Sequence, residues 1–328
     1  MNTMGSSNGE IIPPPTNILK ALWNLLKATA AEWSRDQAPR LGAALAYYAI
    51  FSLAPLLIIA VSISGFVFGH EAATGQIVGQ IQGLVGQDTA TTIQAMIAKS
   101  SQPATNILAS VIGLVALLFG ASGVFGELQQ SLNAIWDIEP MPKRGLWATV
   151  KDKFFSFSMV LGTGFLLLIS LVISAALAAI SNIVIGLMPG WGVITQIINF
   201  IISMAVITVL FALIFKYVPD AEIAWADVWI GAMVTALLFT LGKALIGFYI
   251  GYSSLSSTYG AAASLVVILL WVYYSAQILF FGAEFIQVYA NTYGSRIRSA
   301  STGKITKPSI GPASTTGQTA SPIETKQA

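Results

Sequence analysis

The amino-acid sequence predicts an all-α polytopic membrane protein, a bundle of six transmembrane helices preceded by an amphipathic interfacial helix. Three observations lead there. Six continuous apolar runs are each long enough to cross roughly 30 Å of hydrocarbon, which takes about 20 residues of helix. Charged residues make up 9% of the chain and hydrophobic ones 55%, with a mean hydropathy of +0.75, whereas soluble domains carry about 25% charge. The basic residues, finally, gather in alternate connections, as the positive-inside rule requires of a multi-pass protein.

Residues 1–15 are polar and end in Pro13-Pro14-Pro15, a disordered lead-in. Over residues 16–36 the apolar positions Ile18, Leu22, Leu25, Leu26 and Trp33 recur at helical intervals, with Lys20, Lys27 and Glu32 between them. That pattern predicts an amphipathic helix lying in the cytoplasmic interface or docking a partner.

The transmembrane domain is expected over residues 37–290, with spans at about 41–68, 107–125, 154–180, 193–215, 228–250 and 261–285. None of these runs alternates as a barrel strand would, so helices satisfy the backbone in lipid. With no cleavage site before Leu41, the first span is expected to act as an uncleaved signal anchor. Pro55 lies inside that span and should kink it by removing a backbone hydrogen bond near Phe51 or Ser52. Between the first two spans, Ile77, Ile81, Leu84, Val85, Ile93, Met96 and Ile97 predict a pair of short helices, broken at Gly86-Gln87-Asp88 with Asp88 as a cap. Small residues at Gly120, Gly123 and Gly126, and at Gly247 and Gly251, suit close helix packing. Trp136, Trp147, Trp191, Trp225 and Trp229 stand near span ends as interfacial anchors. Residues 291–328 are rich in Ser, Thr, Gly, Pro and Lys and read as a disordered cytoplasmic tail.

Lys and Arg cluster before the first span, between the second and third, after the fourth and beyond the sixth, with Lys99 on the other side. Both termini are therefore expected in the cytoplasm, which an even number of spans also demands. A net charge of +2, placed by topology, gives no reason to invoke nucleic acid. Its natural contacts are anionic headgroups.

Candidate functional residues are few. Lys243 sits alone in the uncharged run 228–250, about 22 Å from the cytoplasmic end at 1.5 Å per residue. Either it snorkels to the outer headgroups or it lines a polar cavity and attracts an anion. Tyr252 and Tyr259 flank a Ser- and Thr-rich outer turn that could recognise sugar or phosphate groups of a substrate or simply be a solvated turn capping the next helix. Arg40, Glu127 and Glu284 fall at one cytoplasmic level, as a clamp between helix ends or an inner gate. Asp227 is placed to cap the fifth span at its positive end.

Catalysis finds no support in the residue types. His70 is the single histidine, there is no cysteine, and no metal, phosphate-loop or nucleophile-elbow motif occurs. No cofactor is expected, and an ATP-driven pump would need its ATPase from a partner.

The run Ala43-Ala44-Leu45-Ala46-Tyr47-Tyr48-Ala49-Ile50-Phe51-Ser52-Leu53-Ala54-Pro55 resembles the first span of the YihY/BrkB virulence-factor family of bacterial inner-membrane proteins. Three further stretches are similar to that family: Phe119–Gly123 with Leu132–Trp136, Tyr217–Asp220, and Tyr259–Ala262 through Leu270–Gln277 to Gly282–Phe285. The resemblance implies a six-span protein of the cytoplasmic membrane with links to serum resistance and envelope lipid transport. Some members carry the label ribonuclease BN, which this chain, lacking clustered His and Asp ligands, does not support. The expected function is a non-ATP-driven transporter or lipid-translocating permease for an anionic envelope-related substrate, not an enzyme. The alternative is a scaffold recruiting envelope or division proteins. Expected partners are membrane lipids and an anionic lipid or small molecule, with homo-oligomerisation left open.

Overall fold

A computed structural model describes residues 18–100, 123–138, 192–252, 262–295 and 297–299. Among these residues the chain runs α1 (Ile18–Arg35), α2 (Ala38–Phe68), α3 (His70–Val85), α4 (Gln87–Ser100), α5 (123–135), α6 (Gly192–Tyr217), β1 (Ala221–Glu222), α7 (Trp225–Tyr252), α8 (Ala263–Thr292) and β2 (Arg298–Ser299). The expected spans at 41–68, 193–215, 228–250 and 261–285 coincide with α2, α6, α7 and α8. The lead-in 1–15, the span 154–180, nearly all of 107–125, the turn after Tyr252 and the tail from residue 300 lie outside the described residues.

Three of the described helices are long and apolar enough to cross a membrane: Phe200–Tyr217, Trp225–Ile246 and Ala263–Thr292. Their outward faces are apolar as well. Ile197, Phe200 and Ile201 on α6, and Met233, Leu237, Leu241, Leu245 and Phe248 on α7, are all more than half exposed. Such surfaces are costly in water and natural in lipid.

Helix ends have local causes. Gln37 (φ 54°) takes the left-handed conformation that closes α1, and its carbonyl then accepts from the N–H groups of Arg40 and Leu41 as α2 begins. Asp137 (φ 52°) does the same after α5. There the Ile138 N–H reaches back to the Asn133 carbonyl at 2.9 Å and Ile138 is buried, a Schellman ending with its hydrophobic contact. The break between α3 and α4 falls on Gly86 alone (φ 85°), and Asp88 lies in the first turn of α4 instead of capping it. α2 runs on through Pro55 to Phe68.

α8 is the central element. Its C-terminal half, with α5, α6 and α7, forms a cluster around Trp136, Phe215, Val228, Phe280 and Ile286. Its N-terminal half, with α2, α3 and α4, forms another around Val61, Ile93, Ile97, Val267 and Ile268. The α7–α8 seam is tight: a Cβ on Gly231 would collide with Ile286, one on Gly242 with Ile278 and Tyr274, and one on Gly282 with Thr235. In lipid, where apolar burial supplies little net attraction, such close approach is what joins helices.

Three expectations change. Trp136 is no interfacial anchor: it is fully buried, and its indole N–H donates to the Ala283 carbonyl at 3.0 Å. Asp227 does stand in the first turn of α7, at its positive end, but one carboxylate oxygen is given to the chain after α8, accepting from the Ser295 N–H at 3.0 Å and the Ser295 hydroxyl at 2.7 Å. The tail does not lose structure at residue 291. α8 continues to Thr292, Ile297 is fully buried, and β2 pairs antiparallel with β1, Ala221 opposite Ser299 and Glu222 opposite Arg298.

Candidate functional site

Besides exposed Lys243 on α7, a stripe of polar residues that breaks membrane rules lies on one side of α8. Gln277, Glu284 and Asn291 follow at seven-residue intervals, so they share a face of the helix, and Gln287 adjoins it. At 1.5 Å per residue the stripe is about 21 Å long. Glu284 and Gln287 are 0% exposed. Among the described residues neither carboxyl oxygen of Glu284 has a hydrogen-bond partner, nor does either amide atom of Gln287 or of Gln277. Buried polar groups are normally satisfied, and each that is not costs about 1–3 kcal/mol. A run of them in a spanning helix needs a reason.

Neighbouring elements set the stripe's surroundings. Gly42 of α2 leaves just enough room for the Gln277 amide, which any Cβ there would strike. Nearer the C-terminal end, Glu32 and Arg35 of α1, Asp36 of the following turn and Asp137 after α5 are the charged groups that act on Glu284. Arg35 is engaged within that group, at 2.5 Å from Glu32 and 3.2 Å from Asp36. Burial pushes the Asp36 carboxyl above its usual range; the hydrogen bond and charge of Arg35 oppose this and the Asp137 charge adds to it.

A second constellation braces the same end of the bundle. Asp220 accepts from the side-chain amides of Asn133 at 2.9 Å and Gln129 at 3.2 Å, while its own N–H donates to the side-chain oxygen Oδ1 of Asn133 at 2.9 Å. Lys216 donates to the Ile223 carbonyl at 2.6 Å and lies over the Trp225 ring. Together with the Trp136–Ala283 bond, these contacts bring Leu132–Trp136, Tyr217–Asp220 and Gly282–Phe285 to one level, although they are far apart in sequence.

A scan against protein families matches the virulence factor BrkB model over residues 29–305. The chain belongs to the virulence factor BrkB family. Curated relatives of this BrkB-family chain are UPF0761 membrane proteins. The one from Ralstonia nicotianae is 27% identical over 282 residues, covering 82% of this chain and 60% of the relative. Its counterpart in Teredinibacter turnerae is 26% identical over 267 residues, 81% and 60%. That of Pasteurella multocida is 28% identical over 234 residues, 70% and 65%. The chain thus spans less than two thirds of each of these relatives. No solved structure matches it. Family, relatives and apolar helices together make it an integral membrane protein.

The residues singled out from sequence are placed as follows. Lys243 is exposed on α7 and has no hydrogen bond or ion pair among the described residues. Tyr252 is the last residue of α7, and Tyr259 lies outside the described residues. Arg40 is exposed, and its guanidinium donates to the Gln37 side chain at 3.0 Å instead of meeting Glu284. Glu127 is half-buried on α5. Glu284 does lie among charged groups, but they come from α1 and the turns after α1 and α5. The seven-residue spacing of Gln277, Glu284 and Asn291 was a usable signal for the stripe. Nothing local in the sequence pointed to Asp36 or Asp137.

Proposed function

We propose that this BrkB-family protein is a non-ATP-driven transporter or lipid-translocating permease of the bacterial cytoplasmic membrane, with both termini inside and an anionic envelope-related substrate. The observation that supports this best is the buried, unsatisfied polar stripe on α8. A purely structural helix would gain stability from apolar residues at Glu284 and Gln287, since buried polar groups are expensive in the membrane and mark functional positions. Exposed Lys243, on a helix whose outward face is otherwise apolar, suits contact with an anionic headgroup approaching from the bilayer better than contact with a solute in a closed cavity.

The test is flux of labelled phosphatidylglycerol across liposomes holding the purified protein. Wild type should scramble or pump the label; Gln287→Leu and Lys243→Ala should each slow it at least fivefold. Equal flux in empty and protein-containing liposomes, across a panel of anionic lipids, refutes the proposal.

One observation favours the scaffold reading beside it. Leu19, Leu22 and Trp23 are exposed on α1, at 80%, 45% and 68%, whereas Thr29 and Glu32 on the same helix are buried. A stoichiometric partner captured by crosslinking and lost on deletion of residues 16–36, with no flux by the purified protein, would favour recruitment.

A further inference from the structure

We infer that the Glu284 carboxyl is a reversible proton-binding site, loaded from the α1 end of the bundle. The coupling role given to it rests on the transporter reading above; the proton binding itself does not.

Glu284 is fully buried, and neither of its oxygens has a partner among the described residues. An ionised carboxylate held there would be an unpaired buried charge, which a low-dielectric interior strongly disfavours even after relaxation. The groups facing it cannot neutralise it. From α1 come Glu32 and Arg35, from the next turn Asp36, and from the end of α5 Asp137. Arg35, the one base of that set, is already held by Glu32 and Asp36. On α2, Arg40 is turned to Gln37; on α7, Asp227 is occupied by Ser295. A divalent cation is a poor alternative, because among the described residues no three carboxylates or histidines are grouped as ligands. A proton is the ligand that removes the charge with a single O–H bond.

Access is graded in the same direction. The Arg35 side chain is 41% exposed, Asp36 14% and Glu32 4%, and Glu284 is closed off. Carboxylates at decreasing exposure offer a stepwise route from the aqueous end of the bundle inward. On either side of Glu284 along α8, Gln287 toward the α1 end and Gln277 away from it hold donors and acceptors that have no partner among the described residues and can host water in an opened state. The step is balanced and simple: carboxylate plus proton gives the neutral acid, and release toward the opposite side regenerates the carboxylate.

The test begins without transport. Infrared difference spectra of the full chain in nanodiscs, taken across a pH titration, should show the carbonyl stretch of a protonated carboxyl that appears and disappears reversibly. That band should be missing in Glu284→Gln and shifted in Glu284→Asp. Should Glu284→Gln fail to fold, the Glu284→Asp shift and carbon-13 labelling of glutamate carry the assignment. Identical bands in wild type and the variants overturn the inference, as does a spectral change driven by sodium at fixed pH. In liposomes of labelled phosphatidylglycerol, an imposed pH gradient should change wild-type flux severalfold and leave Glu284→Gln unaffected. A titrating band without flux would sink the transporter reading and spare the proton site. Gradient-driven flux that survives Glu284→Gln would do the reverse.

Discussion

Replacing Asn133 with alanine removes two of the three hydrogen bonds that tie α5 to the α6–α7 connection. One runs from its side-chain amide to the Asp220 carboxylate at 2.9 Å, and the other from the Asp220 N–H to its side-chain oxygen Oδ1 at 2.9 Å. A hydrogen bond to a charged group contributes about 1.5–3 kcal/mol and a neutral one about 0.5–1.5. Both residues are only half-buried, so water recovers part of this, and the expected loss is about 1.5–3 kcal/mol. Asn133→Asp should be worse, because it swaps the donor for a second carboxylate facing Asp220. Unfolding of the purified protein in mixed micelles, followed by tryptophan fluorescence, measures both, since buried Trp136 sits three residues on. A double-mutant cycle with Asp220→Ala isolates the pair, with a coupling of at least about 1 kcal/mol expected for residues in direct contact. If Asn133→Ala stays within about 0.5 kcal/mol of wild type, the range of an uninvolved surface site, the brace is not there.

Other seams make separate predictions. Gly282→Ala drives a methyl group into Thr235, whose hydroxyl is fixed on the Gly231 carbonyl at 2.7 Å, and should cost about 1–3 kcal/mol by overpacking, part of it recovered by Thr235→Ala. Trp136→Phe keeps an aromatic ring but loses the bond to Ala283, a loss of roughly 1–2 kcal/mol readable as a lower unfolding midpoint. Ser295→Ala should loosen the chain after α8, so trypsin should cut at Arg298 several times faster than in wild type. Asp36→Asn tests the perturbed carboxyl. Because burial raises its pKa in the folded state, folding favours the protonated acid: that stability is present below the unfolded pKa and is lost as pH rises through the folded one. The amide should therefore stabilise the protein at neutral pH, with the gain fading as pH falls to the ordinary carboxylate range; a pH-independent difference would contradict the assignment.

What could be read from the residues follows the range of the interactions. Apolar length pointed to the helices α2, α6 and α7 to within three residues and to the start of α8, whose end at Thr292 lies seven residues past the expected 285, because a long apolar helix is specified by its own composition. The helical pair after α2 was legible too, from its apolar spacing and Gly86. Errors arose where distant segments meet. The chain beyond Asn291 looks unstructured by composition, yet Asp227, 68 residues away, and β1 hold it in place. Trp136 resembles an anchor until Ala283 supplies its acceptor. Arg40 stood at the right level to meet Glu284, but left-handed Gln37 gave it a nearer partner. Glu284 was picked out by its position in an apolar helix; the acids that surround it belong to α1 and to two turns.

The glycine-lined contact between α7 and α8, locked at one end by Asp227 and Ser295, has a mechanical consequence. Two helices that interdigitate at backbone distance and are pinned at a terminus translate and tilt as a single strut. A relative movement within the bundle would then fall on the opposite flank of α8, where Gly42 of α2 meets the Gln277 amide.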